Sequence, residues 1–417
     1  MNQDEGVLQP SSFILTSPRS CTVSEVRLAI IGVGNMGYSH LNHQKQEGVT
    51  LTAICDLEQS KLDRADTKLK SMGINAKQFL NSEDLLKSGV ANAVLIATPH
   101  YDHPPIGIRA FETGHHVLVE KPIAVGTRAA RQLIDAAKRY PKQVFGIMFN
   151  QRSNPMYQKL RELIADGELG ELTRITWLIT DWFRPHAYYA SGGWRATWAG
   201  EGGGVLINQC PHNLDLIQWI TGLMPSRITA VGFIGKRHPI EVEDEVSAIL
   251  EYPNGAIGHF VTTTGEAPGT NRLEICGDRG KIIAENNKLT FTRNRKLVSE
   301  ITTTTKDSFP MIEKWTIDVP FKNAPAMGEH ERVYRNWISA IQNGTPLLAP
   351  GEEGIHGLEI GNAMIMSAMK RQGVDVPIDG AAYEQLLLDL AKQYGGRKTL
   401  KTEAVEVDMS ASSASFR

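Results

Sequence analysis

RLAIIGVGNMG (residues 27–37) sets a GxGxxG directly behind an apolar, β-branched run and ahead of residues 38–47, which are patterned as an amphipathic helix. In a strand–loop–helix unit the glycines play separate roles. Gly32 permits the tight turn, Gly34 lets a pyrophosphate approach the backbone, and Gly37 lets helix pack on strand. Asn35 and Met36 fall at the helix start, where free backbone N–H groups face an anion. A second strand pattern, 51–55, ends at Asp56, where the motif places a carboxylate for the adenosine ribose. Strand, loop, helix and acid in register point to a dinucleotide. Asp56 favours NAD over NADP, because its carboxylate repels a 2′-phosphate and the following Leu57 and Glu58 bring no cation.

Further short β-branched runs at 93–98, 116–119 and 144–149 alternate with helical periods, which predicts βαβ units and a parallel sheet over residues 25–150. Beyond 150 the rhythm changes. Strand patterns near 171–182, 226–235, 244–252 and 256–264 are framed by helical ones at 155–166, 208–221, 329–343, 354–371 and 382–393. Pro253-Asn254-Gly255 reads as a hairpin turn. The fold class expected is therefore α/β: an N-terminal Rossmann sheet, then an α+β domain over 151–397 with a large, mostly antiparallel sheet carrying helices on one face. The polar ends, 1–24 and 398–417, read as disordered tails.

Over 417 residues, 44 Lys and Arg balance 46 Asp and Glu. No basic block exists to grip nucleic acid or a membrane surface, and no apolar run is long enough to span a bilayer. Cys21, Cys55, Cys210 and Cys276 lie far apart, as incidental thiols of a reducing compartment do, so a cytoplasmic enzyme is expected. His40/His43 and His100/His103 lack the partners of a metal site, and no metal is expected.

Two segments end strands at the edge of the expected ligand crevice: Ala97-Thr98-Pro99-His100-Tyr101-Asp102-His103 and Glu120-Lys121-Pro122. Together with GHHVLVEKPIA (114–124), NQR (150–152) and EGGGVLINQCPHNLDLIQWITG (201–222), they resemble the glucose-fructose oxidoreductase, inositol dehydrogenase and rhizopine catabolism family, Gfo/Idh/MocA. The resemblance covers nearly the whole folded chain, and the EKP tripeptide is its most specific part. It implies a two-domain nicotinamide oxidoreductase acting on sugars or cyclitols, with Lys121 and His212 carrying acid–base chemistry. It also implies a cofactor pocket that includes Thr98, Pro99, His103, Glu120 and Lys121, and an oligomer, dimer or tetramer. Where many members hold an Asp four residues before the histidine, this chain has Asn208. An amide cannot accept a proton, so His212 is expected as general base, Lys121 as the cation on the substrate hydroxyl and Asn208 as a substrate anchor.

Residues 181–198 gather three tryptophans, two tyrosines and two arginines ahead of a glycine run. Aromatic faces with a few directed polar groups suit a polyhydroxylated ring, so Trp194 and Arg195 are expected at the substrate. Arg152 matches a position of the family that the chain resembles, where a substrate contact and a structural ion pair are both open. The reading is an NAD(P)-dependent dehydrogenase or reductase on a secondary hydroxyl of a sugar, glycoside or cyclitol. Two alternatives stand beside it: a glycosidase or eliminase that recycles its NAD, and a sugar or nucleotide sensor without catalysis.

Overall fold

The computed structural model describes residues 25–43, 46–323 and 325–400. The N-terminal tail and all but the first residues of the C-terminal one lie outside them. Lys398 lies inside and is bonded: its Nζ donates to the carbonyl oxygens of Gly192 and Arg195, each at 2.9 Å.

Six strands form the first sheet: β1 (Val26–Ile31), β2 (Val49–Cys55), β3 (Lys77–Phe79), β4 (Ala93–Ile96), β5 (His116–Val119) and β6 (Phe145–Ile147). All neighbours are parallel, in the order β3-β2-β1-β4-β5-β6. The order reverses between β1 and β4, and ligands of open α/β sheets bind outside the carboxyl ends of strands at such a switch point. β3 escapes the sequence pattern because Lys-Gln-Phe has no apolar run. Lys121 consequently follows the fifth strand.

The segment behind the glycine loop is shorter than its pattern suggests, a helix at Asn35–His40 and one 3₁₀ turn at Leu41–His43. The sheet face it leaves open is covered from far along the chain. In the helix Glu329–Asn343, Val333, Tyr334, Trp337 and Ile338 form one stripe, buried in a cluster with Val26, Leu28, Ile30, Leu51 and Ile54. This helix, expected on the second domain, belongs by contact to the first.

The second sheet comprises β7 (Leu172–Ile179), β8 (Arg227–Ile234), β9 (Glu243–Glu251), β10 (Ile257–Thr263), β11 (Asn271–Gly277), β12 (Gly280–Glu285), β13 (Lys288–Asn294), β14 (Lys314–Val319) and β15 (Val374–Asp375). Their order is β14-β13-β12-β11-β7-β10-β9-β8-β15, antiparallel except for the pair β7 and β10. The hairpin at 253–255 joins β9 to β10, with Gly255 at φ 83° and Asn254 Oδ1 accepting from the Ala256 N–H. One face packs on the buried helix Gly354–Lys370, whose Ser367 Oγ accepts from Ala230 N–H at 2.9 Å. On the opposite face Val231 is 60% exposed and Ile249 and Ile257 are each 47% exposed.

Candidate functional site

The glycine loop, at the carboxyl end of β1, is built to receive an anion. Gly32 adopts φ 87°, and a Cβ there would lie 2.7 Å from the Ala97 carbonyl of the neighbouring strand end. A Cβ at Gly37 would overlap the Gly32 carbonyl oxygen, whereas one at Gly34 would meet nothing within 4 Å. That open side is where a phosphate can approach. Tyr38 N–H is bonded to Gly34 O, so the amides of Gly34, Asn35, Met36 and Gly37 have no acceptor inside the helix. The helix is only six residues long, which puts the anion's binding on these loop amides more than on a macrodipole.

Asp56 stands at the end of β2. Its Oδ2 accepts from Val33 N–H at 2.9 Å and its Oδ1 from Glu58 N–H at 3.1 Å, leaving lone pairs for a ribose hydroxyl. One cation is closer than the sequence suggests: Lys61 Nζ lies 3.9 Å from Asp56 and 2.7 Å from Glu58. At the end of β4, Thr98 Oγ1 is buried with no partner, and Pro99 leads into the turn His100–Asp102. The open glycine cradle, the Asp56 carboxylate with lone pairs to spare and this orphaned hydroxyl fit a dinucleotide. Both ring nitrogens of buried His103 face carbonyls, Pro122 O at 2.8 Å and Thr98 O at 2.9 Å, so His103 ties the two strand ends together. Glu120 is bonded to His40 Nε2 at 2.6 Å and to Lys121 N–H at 3.1 Å. Burial would raise its carboxyl, yet the His40 contact wins and holds it near 2. Glu120 thus ties His40 to the backbone of Lys121.

Lys121 leaves the end of β5 and donates from Nζ to the main-chain oxygen of Asn208 at 2.9 Å. Burial pulls its ammonium below the ordinary 10.5; Arg195 and Arg184 add to the fall, and Glu120 and Glu201 oppose it. His212 is in the first turn of the helix Pro211–Thr221, buried, with Nδ1 unpartnered. Burial, then the charges of Lys121 and His330, hold the imidazole well below 6.5, so it is neutral at pH 7 and able to accept a proton. The helix that presents it is seated tightly, since a Cβ at Gly357 would come within 2.8 Å of Asp215 N.

The Asn208 amide is occupied at both ends. Its Oδ1 accepts from Tyr188 Oη at 3.2 Å, and its Nδ2 donates to Glu201. Arg195 closes the ring, donating to Tyr188 Oη at 2.7 Å and to Glu201 Oε1 at 3.4 Å. Asn208 therefore acts on Lys121 through its carbonyl, and the substrate anchor expected of its side chain is already used. Glu201 and Tyr188 escape sequence reading, the first as a lone acid before a glycine run, the second as one ring of an aromatic cluster. Glu201 is 1% exposed, accepts from Ala196 N–H, and burial raises its carboxyl. Trp194 borders the ring, edge-on to His100 at 5.7 Å, with the Arg195 guanidinium carbon 4.8 Å from its centroid.

Arg152 is 1% exposed and fully engaged, bidentate to Asp215 at 2.7 and 2.6 Å and bonded to Glu353, so it is framework rather than substrate contact. The glycine run 202–204 is closely approached by protein: side chains there would strike Val125, Ile207 and the Glu243 carbonyl.

Residues 26–147 match the model of an oxidoreductase family with an NAD-binding Rossmann fold, and residues 157–283 match the Gfo/Idh/MocA C-terminal domain. An inositol 2-dehydrogenase of Pseudarthrobacter chlorophenolicus is 28% identical over 270 residues, 61% of this chain and 75% of its own length. A 1,5-anhydro-D-fructose reductase of Ensifer adhaerens is 24% identical over 300 residues, 72% of this chain and 84% of its own. The WlbA dehydrogenase of Bordetella pertussis, solved with NADH and UDP-GlcNAcA, superposes with a TM-score of 0.70 at 25% identity, covering 85% of this chain and 100% of that one. With both domains matched over well more than half its length, this chain belongs to the Gfo/Idh/MocA family of oxidoreductases and carries the family's NAD-binding Rossmann domain.

Proposed function

We propose that the protein is a dehydrogenase, or in reverse a reductase, that moves a hydride between nicotinamide and a secondary carbinol carbon of a sugar, glycoside or cyclitol. The observation that carries this reading is the pairing of Lys121, held at 2.9 Å by Asn208 O, with a buried His212 whose Nδ1 has no partner, beside the strand ends that border the glycine loop. The activities named for the inositol and anhydrofructose relatives support it. When bound, nicotinamide supplies the hydride acceptor or donor. Lys121 hydrogen-bonds the substrate hydroxyl and makes it more acidic, His212 takes its proton, and Asn208 fixes the direction of the lysine. Trp194 and Arg195 face the substrate.

The direct test mixes protein with NAD, and separately NADP, against inositols, hexoses, anhydrosugars and aryl glycosides, following reduced nicotinamide and sugar products together. NADH formed in step with an oxidised sugar is the expected result. Sugar cleavage without net NADH would replace the reading with redox-assisted bond breaking, and binding without turnover would replace it with a sensor.

Asp56 gives a second expected result. Catalytic efficiency with NAD exceeds that with NADP by about a hundredfold, and Asp56→Ser narrows the gap chiefly by weakening NAD, because the lost carboxylate contacts are worth about 1.5–3 kcal/mol. Equal efficiency of the native enzyme with both cofactors would reject the assignment of Asp56.

The uncovered face of the second sheet, with Val231, Phe233, Ile249 and Ile257 exposed, implies a homo-oligomer that buries it. Light scattering is expected to give at least a dimer, and Val231→Lys with Ile249→Glu to give a monomer that still folds. A native monomer at micromolar concentration would contradict this.

A further inference from the structure

The cations gathered around Asn208 meet carboxylates that are shared with other donors or held at longer range. Lys121, Arg184 and Arg195 lie close enough together that both guanidinium charges depress the lysine. Arg195 is 9% exposed, and among the described residues its one carboxylate neighbour is Glu201 at 3.4 Å, an acid also claimed by Asn208 and by Ala196 N–H. Arg184 has no carboxylate within 4 Å among the described residues; its Nη1 donates to Phe183 O at 2.9 Å. Asp181 faces Arg184 at longer range, and burial lifts its carboxyl to about 6. Lys398 adds a further cation behind the Gly192–Arg195 turn. Nε of Arg184 and Nε of Arg195 are both buried without an acceptor.

Arg195 is a buried charge, and buried charges in proteins are paired, since desolvating an ion without a partner costs several kcal/mol. Arg184 is half-buried, with only its Nε shut off from solvent and acceptors. Here the arginines are partly offset by aromatic faces: their guanidinium carbons lie 5.1 and 4.5 Å from the Tyr188 ring centroid. A ring face does not neutralise a unit charge.

We propose that the substrate is anionic, a sugar or cyclitol bearing a carboxylate or phosphate whose charge is met by the guanidinium groups of Arg184 and Arg195. The planar fork of arginine suits either oxyanion. Trp194 and Tyr188 are left for the C–H faces of the ring. The inference rests on the dehydrogenase reading for its reaction, while its ligand chemistry rests on the arginines alone.

The test is equilibrium binding to the full chain saturated with NAD, using matched sets: D-glucose, D-glucuronate and D-glucose 6-phosphate; D-galactose and D-galacturonate; myo-inositol and its 1-phosphate. Turnover of each is followed in parallel. At least one anionic member is expected to bind about tenfold tighter than its neutral partner, with the advantage shrinking at high salt. Arg184→Gln and, separately, Arg195→Lys are expected to reduce that advantage about fivefold or more, with NAD affinity measured on each variant as the check on folding. The carboxylate and phosphate members tell the two oxyanions apart. If no anionic member outbinds its neutral partner, the proposal is overturned. Oxidation of neutral sugars without such a preference leaves the dehydrogenase reading standing and removes this one. Tight anion binding without any nicotinamide reduction does the reverse.

Discussion

Lys121→Met lowers kcat/KM about a thousandfold, roughly 4 kcal/mol of transition-state stabilisation, within the range that a positioned acid–base group contributes. Methionine keeps the length and apolar bulk of the stem, so the loss reports the ammonium. The same change alters the pH profile in a direction fixed by the coupling of two buried groups. Burial and the neighbouring Lys121 charge hold His212 well below 6.5. A base with so low a pKa stays deprotonated into the acid range, and the acid limb of kcat/KM in the native enzyme therefore lies below pH 6.5. Removing the lysine charge lets the His212 pKa rise, so the acid limb of the variant moves upward toward neutrality. On the alkaline side the native profile falls below pH 10.5, where the depressed lysine loses its proton. His212→Asn should abolish the acid limb. An acid limb that Lys121→Met leaves in place, or one that survives in His212→Asn, would assign the titrating base elsewhere.

Asp215→Ala destabilises the fold by about 3–5 kcal/mol, since it strands the Arg152 guanidinium in a site where each partner is 1% exposed. Glu353 remains on the other edge of the guanidinium, but its side chain is 37% exposed and compensates poorly. The double change Arg152→Met with Asp215→Leu removes both charges and should recover most of that loss. Urea denaturation of the two single variants and the double gives the coupling directly. If the double variant falls by the sum of the singles, the pair is not a closed electrostatic unit. The helix that carries His212 also carries Asp215, so activity of Asp215→Ala should fall further than its folded fraction.

What is legible in the sequence is local. The glycine loop, Asp56 and Glu120-Lys121-Pro122 sit in short runs whose spacing is itself the signal, and the structure sets them at the ends of β1, β2 and β5. The four strands β11 to β14 do not separate by pattern, because charged residues such as Arg272 and Glu274 on one face break up the apolar runs that mark a strand. Glu201 is invisible for a different reason: its meaning comes from Asn208, Arg195 and Tyr188 meeting in space. The role of Arg152 likewise hangs on Asp215, 63 residues away. The arrest of the Asn208 amide cannot be read from its identity, which says only that it has one acceptor and one donor end to satisfy.

The helix Glu329–Asn343 that roofs β1 and β2 has a consequence for synthesis. A ribosome delivers the whole parallel sheet by residue 147, but the stripe of Val333, Tyr334, Trp337 and Ile338 emerges only after most of the second sheet has been made. At about 5–20 residues per second, the apolar face of β1 and β2 stays bare for on the order of 10 s or more. During that interval the nascent chain presents a continuous oily surface to its surroundings, and holdase chaperones are expected to bind there and leave as Trp337 docks. Cutting the gene at the apparent border near residue 150 would make that exposure permanent.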